Sequence, residues 1–91
     1  MNWSVYIILC TDNSLYTGIT TDIARRFNQH KDQKGAKYFR GRQPKTLVYL
    51  ETEHNRSSAG KREVAIKSLS RLEKLSLIAS GVNKADGFYK D

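Results

Sequence analysis

One cysteine, Cys10, and one proline, Pro44, stand among the 91 residues of the chain. A lone cysteine excludes an intramolecular disulfide framework. Its apolar neighbours in "VYIILC" point to a buried thiol in a reducing compartment. No apolar run approaches the roughly 20 residues that span a bilayer, which excludes a transmembrane helix. The opening "MNWSVYIILC" lacks a basic n-region and a small-residue cleavage site, so no signal peptide is expected. Internal repeats, linkers and low-complexity tracts are missing too. The expectation is one small cytoplasmic domain, whose core is limited because a chain this short buries only about 60–65% of its unfolded surface.

Acidic residues are the other shortage: nine Asp+Glu face sixteen Lys+Arg, a net charge of +7. Such a surface attracts polyanions at long range, nucleic acid most commonly. The positive charges gather at Arg25 and Arg26, in "KGAKYFRGRQPK" and in "GKR" at 60–62. In the middle stretch, Lys37, Arg40 and Arg42 alternate with Tyr38 and Phe39, as in a loop that contacts phosphates and stacks on bases. Lys37, Tyr38, Arg40 and Arg42 are therefore candidate nucleic-acid contacts. No helix combines these bases with a large apolar face, which argues against membrane binding.

The β-branched and aromatic runs 4–10 and 15–19, broken by "TDNS", read as a hairpin. Residues 21–33 read as a helix with Thr20 or Thr21 as the candidate cap, Asp22 suited to its positive end and Gly35 able to stop it. A third strand follows at 46–52. A second helix starts near Ser57 or Ser58, and "SRLE" at 70–73 is a capping-box pattern that opens a third helix ending at Gly81. The reading is an α+β domain over residues 1–81, with a three-stranded antiparallel sheet flanked by helices in the order ββαβαα. A flexible tail is expected over 82–91.

Helical periodicity then sorts the polar residues. On the first helix Ile23 and Phe27 form the buried stripe, with Arg26 and His30 along its polar edge and Arg25 on the solvent side. On the second helix Glu63 lies one turn from both Ala59 and Ile66. A carboxylate on an inward face must be paired or bound to a cation. A salt bridge, for example to Arg26, and a metal ligand are both open.

In order and spacing these residues resemble the GIY-YIG nuclease superfamily, over about Val5 to Ile78. Val5-Tyr6-Ile7 stands for the first triplet and Tyr16-Thr17-Gly18 for the second. Arg26 follows that glycine by eight residues, His30 follows four later, and Glu63 takes the family's acid position. Size and text such as "GAKYFRGR" look most like the small stand-alone single-domain bacterial branch. The resemblance implies hydrolysis of nucleic-acid phosphodiesters, DNA foremost, with one Mg²⁺ (or Mn²⁺) held by Glu63. It further implies Arg26 on the scissile phosphate, Tyr16 at the attacking water with Tyr6 assisting, and His30 orienting a tyrosine or relaying its proton. A phenol with a pKa of about 10 is only about one part in a thousand ionised at pH 7, so Tyr16 either has a lowered pKa or merely orients the water. Two positions depart from the family pattern: its asparagine falls on Leu75, and a lysine found in some members is Ile19. A basic module that binds nucleic acid without cleaving it is the alternative. A protein-interaction domain that recruits another nuclease has little support in these residues.

Loop length tests the shared site. Side chains alternate along a strand. A two-residue turn at Asp12-Asn13 would put Tyr6 and Tyr16 on opposite faces. A three-residue loop over 11–13, with Asn13 in the left-handed region, puts both on one face and Val5, Ile7, Leu9, Leu15, Thr17 and Ile19 on the other.

Overall fold

The structure, a computed structural model, describes residues 2–32, 42–81 and 83–85. Strands β1 (Trp3–Cys10) and β2 (Leu15–Thr20) are followed by helix α1 (Ile23–Lys31). Strand β3 (Pro44–His54) then leads to helices α2 (Arg56–Lys67) and α3 (Arg71–Ile78). The ββαβαα order is the expected one, and the antiparallel sheet runs β2-β1-β3.

Tyr6 pairs with Gly18 and Ile8 with Tyr16, so the hairpin closes on an odd loop. The Cys10 N–H donates to Ser14 O at 2.9 Å, the Asn13 N–H donates to Cys10 O at 2.9 Å, and Asn13 takes φ 69°. Asparagine tolerates that left-handed conformation where a β-branched residue would be strained. Asp12 tightens the turn by accepting the Ser14 N–H and hydroxyl. Both tyrosines therefore project from one face.

The central strand β1 is covered on both sides, which explains its almost unbroken apolar text. On the tyrosine side, Tyr6, Ile8, Cys10, Leu47, Leu50 and Ala85 form one cluster, joined by Tyr16 and by Ile23 and Phe27 of α1. On the other side Val5, Ile7 and Tyr49 pack with Ala59 and Ile66 of α2. Each fully buried aliphatic contributes about 1.5–3 kcal/mol. Cys10 is fully buried and its thiol is shifted to a higher pKa, chiefly by desolvation.

Three expectations need correction. Asp22, not Thr20 or Thr21, is the N-cap of α1: its carboxylate accepts the Arg25 N–H at 3.1 Å, while Thr20 Oγ1 accepts from Asp22 N–H. A carboxylate serves this position better than a hydroxyl because it also meets the positive helix end. Asn55 caps α2, with Ser58 three residues on completing the capping box, so that helix begins earlier than Ser57. Nor does the body of the domain stop at Gly81. The Asn83 amide accepts from Leu50 N–H and donates to Val48 O and Ile78 O, and Ala85 is buried. Ser70 does cap α3, with Glu73 closing its capping box.

Strand β3 carries a kink that matters for its polar face. Its pairing with β1 shifts register between Trp3 and Val5, and Glu53 sits at φ 68°. Residues three apart on a regular strand point oppositely, but a bulge restores them to one side. Glu51 and His54 are thereby brought into contact, with His54 Nε2 2.6 Å from Glu51 Oε1.

Candidate active site

Tyr6 lies flat across β2 because its cross-strand partner is Gly18. A Cβ on residue 18 would sit 2.5 Å from the Tyr6 hydroxyl, 2.7 Å from Tyr6 Cζ and 3.2 Å from the Tyr16 ring. The second-motif glycine is thus a seat for the first-motif tyrosine. Helix α1 supplies His30 against this seat, fully buried, and the Tyr6 hydroxyl and His30 Nε2 share a 2.9 Å hydrogen bond. Tyr16 completes an aromatic triangle, its ring 6.3 Å from that of Tyr6 and 5.4 Å from the imidazole in an edge-on arrangement.

Burial dominates the electrostatics of the triangle. Desolvation, helped by Tyr16, pushes the Tyr6 phenol well above its ordinary pKa, outweighing the neighbouring Arg26 guanidinium. Tyr16 is raised as well, by desolvation first, although Lys67 and Arg26 pull it down while Glu63 pushes it up. Desolvation, with Arg26 beside it, lowers His30 to about 4, so the imidazole is neutral at pH 7. Neither tyrosine is an ionised base at neutral pH.

Three charged side chains surround the triangle. Arg26, half-buried one turn from His30, donates from Nη1 to Gln29 Oε1 at 3.1 Å. Glu63 is also half-buried and meets Lys67 Nζ at 3.2 Å. The salt bridge weighed for Glu63 was to an arginine such as Arg26; the pair found among the described residues is instead with Lys67, one turn along the same helix. The charges of Arg26 on α1 and Glu63 on α2 both act on Tyr6 and Tyr16, Arg26 favouring and Glu63 opposing their ionisation. The five positions Tyr6, Tyr16, Arg26, His30 and Glu63 come together.

The basic-loop positions do not all join them. Lys37, Tyr38 and Arg40 lie outside the described residues. Arg42 sits at the hairpin loop, where its Nε donates to Asp12 Oδ2 at 2.6 Å. Ser14 and Arg42 hold Asp12 down at about 2.

Sequence reasoning missed the support under α2. The Glu51 carboxylate accepts the Tyr49 hydroxyl at 2.6 Å and Arg62 Nε at 3.1 Å, besides its contact with His54. Burial alone would raise the Glu51 pKa, but these donors and the Arg62 charge outweigh it and lower it. Desolvation and the adjoining carboxylate send Tyr49 up to about 12. His54 Nδ1 also lies 2.9 Å from Ser58 Oγ of the α2 capping box. Arg62 precedes Glu63, so this cluster fixes the rotation of the helix that presents the acid. The i,i+4 spacing of Glu63 and Lys67 is a signal that could have found their pair; the Glu51–His54 contact depends on the β3 bulge and the Glu51–Arg62 contact on the packing of α2, which no local pattern announces.

Two tyrosines, an arginine, a histidine and a glutamate stand on this ββαβαα frame in the order that the GIY-YIG resemblance implies. The chain belongs to the GIY-YIG family, an endonuclease family: residues 2–76 match the GIY-YIG catalytic domain. It is 50% identical over 88 residues to the UPF0213 protein DP2720 of Desulfotalea psychrophila, spanning 96% of this chain and 80% of that one. Identity to the UPF0213 protein YhbQ of Escherichia coli K12 is 44% over 84 residues, 92% of this chain and 84% of the other. Among solved structures it is similar to the solution structure of the UPF0213 protein BH0048 from Bacillus halodurans. That match has a TM-score of 0.59 and 41% identity, covering 99% and 96% of the two chains.

Nucleases of this family generally use a divalent metal ion. Among the described residues no three His, Cys, Asp or Glu side chains gather as a ready-made metal cage. The donor set instead offers one half-buried carboxylate, Glu63, paired with Lys67. That suits Mg²⁺, which keeps several waters and takes one or two carboxylates plus phosphate oxygens. The residues fit the ion. No helix among the described residues is long and apolar enough to cross a membrane.

Proposed function

We propose that the protein is a divalent-metal-dependent endonuclease that hydrolyses phosphodiester bonds in nucleic acid, DNA in the first instance. The Tyr6–Tyr16–His30 triangle beside Arg26, in a chain of the GIY-YIG family, is the observation that carries this reading. Glu63 would hold Mg²⁺ or Mn²⁺, which when bound supplies Lewis-acid stabilisation of the charge that develops on the leaving oxygen. Arg26 grips the scissile phosphate through its planar fork, a charge-assisted contact that strengthens as negative charge accumulates.

The two tyrosines divide the remaining work by depth. Tyr6 is almost wholly buried and tied to His30, so it holds its neighbours in place rather than meeting substrate. Tyr16 is half-buried on the edge strand β2, where its hydroxyl oxygen can accept a hydrogen bond from the attacking water. With both phenols held neutral, Tyr16 orients the water rather than deprotonating it. His30, neutral and locked against Tyr6, sets the position of that ring and, through it, the packing of Tyr16. Lys67 keeps Glu63 in place until a cation replaces it, and the net charge of +7 draws the polyanion to the surface. Lys37, Tyr38, Arg40 and Arg42 would extend that contact along the substrate.

Glu63→Ala tests the proposal on a panel of labelled DNA and RNA substrates with and without Mg²⁺. Wild type is expected to cleave only with the metal. The variant is expected to lose at least about a hundredfold in rate, the scale of removing one transition-state contact, while still binding. Equal metal-dependent cleavage by both would remove Glu63 from the proposed site, and binding with no metal-dependent cleavage of any substrate would leave a nucleic-acid-binding module instead.

A further inference from the structure

Beyond the aromatic triangle, where β2 hands over to α1, a cavity of about 270 Å³ opens beside Arg26. Trp3 lines it from the first position of β1. Thr20 comes from the last position of β2, and Asp22, Arg25, Arg26 and Gln29 come from the cap and first turns of α1. Arg26 is the one candidate site residue it shares. The sequence pattern had separated Arg25, as solvent charge, from Arg26, as a packed residue; the cavity has both on its wall.

The lining has the composition of a nucleotide site. Nucleic acid binding without sequence readout combines cations that track phosphates with aromatic faces on which bases stack. Trp3 is half-exposed, and the Arg56 guanidinium lies 5.8 Å from its ring centroid, which restrains the indole. Trp3 packs on the Val5–Ile7–Tyr49 cluster and also lines the cavity. Asp22, the single acid on the wall, is engaged in capping α1 and accepts the Arg25 N–H. The volume lies just below the range of about 300–1,000 Å³ typical of small-molecule sites, enough for one nucleotide unit and not for a folded strand.

We propose that this cavity is a nucleotide subsite, in which the base of a nucleotide flanking the scissile phosphate stacks on Trp3 while Arg25 pairs with its phosphate. The inference rests on the nuclease reading, because Arg26 then joins the reacting phosphate to its neighbour. A base reaches an indole at the cavity wall only when it has left the duplex stack. The subsite therefore selects an unpaired nucleotide beside the bond to be cut.

Trp3 is the chain's only tryptophan, so its emission reports the subsite directly. The probes are a labelled oligothymidylate 12-mer and an abasic chain of the same length and charge, titrated into the full chain in EDTA. Binding is followed by anisotropy of the label and stacking by Trp3 fluorescence. Oligothymidylate is expected to quench Trp3 and the abasic chain to bind without quenching. Trp3→Ala should weaken oligothymidylate binding about five- to a hundredfold and leave abasic binding unchanged. Trp3→Phe, which keeps an aromatic ring at the edge of the core, should lose less and guards against a folding defect. Arg25→Ala should weaken both probes alike and reduce the salt slope by about one. Equal quenching by both probes, or tight binding that Trp3→Ala does not touch, overturns the subsite while metal-dependent cleavage, if present, still supports the nuclease. Failure of the chain to bind or cut any nucleic acid overturns both.

Discussion

Gly18→Ala is the smallest change that should dismantle the site without touching a charged or hydrogen-bonding side chain. The added Cβ would lie 2.5 Å from the Tyr6 hydroxyl and 2.7 Å from Cζ. Tyr6 must then retreat by about half an ångström or more, and its ring is almost wholly buried, so the core must shift with it. Forcing a methyl into a packed core costs about 1–3 kcal/mol, and stretching the 2.9 Å Tyr6–His30 hydrogen bond adds about 1 kcal/mol or more. The sum of about 2–4 kcal/mol corresponds to a fall in Tm of about 10–25 °C for a domain of this size. Cleavage by the folded fraction should drop about a hundredfold, the usual consequence of a misplacement approaching 1 Å. Thermal unfolding by circular dichroism, paired with cleavage rates well below the new Tm, measures both effects. Adding Tyr6→Phe should recover part of the stability, because the nearest clash is with the hydroxyl; the Cζ contact would remain. A Gly18→Ala variant that melts within about 2 °C of wild type and cuts normally would refute the seating of Tyr6 on Gly18.

Three further outcomes follow from the described contacts. His30 is depressed from 6.5 to about 4, so the unfolded chain binds its proton first as pH falls; stability from this residue is complete above about pH 6.5 and is lost as pH drops toward 4, up to about 3 kcal/mol. Urea titrations from pH 7.5 to 4 check this, and a slope that His30→Phe leaves unchanged would speak against it. Thr17 Oγ1 is buried with no hydrogen-bond partner among the described residues, so Thr17→Val, which keeps the shape, should raise stability by about 1 kcal/mol in the same assay. Arg62→Met keeps the packed stem but strips Glu51 of its guanidinium; we expect a loss of about 1–2 kcal/mol and a higher Mg²⁺ concentration for half-maximal cleavage, because α2 loses its rotational anchor. An unchanged Mg²⁺ requirement would confine the Glu51 cluster to stability.

Much of this fold was legible because the signals are local. β-Branched runs marked the strands, "SRLE" marked the cap of α3, and the parity of Tyr6 and Tyr16 demanded the odd loop that Asn13 closes. Helix starts were misplaced by one or two residues, since several adjacent Thr, Ser, Asp and Asn side chains can all cap and only the chain's path decides. The site was readable where one helix or one strand holds the residues. It was hidden where chain geometry or a third element intervenes: the Glu51–His54 contact needs the Glu53 bulge, the Glu51–Arg62 link needs α2 to pack on β3, and the Trp3 cavity needs the β2 end and the α1 start to meet. Asn83 belongs with these: its amide fastens the end of α3 to β3, a contact that no local pattern announces.

The three-residue loop at 11–13 also constrains how chains built on this frame can vary in length. Removing or adding one residue there would turn every side chain of β2 over, carrying Tyr16 into the α2 interface and Thr17 and Ile19 into the position of the triangle. A change of two residues would leave the alternation intact and only lengthen the hairpin. Length variation at this tip is therefore expected in even steps, or in single steps accompanied by a compensating bulge within β2. A tip that looks like ordinary surface loop is, for the chemistry twelve ångströms or so along the strand, a counter that must stay odd.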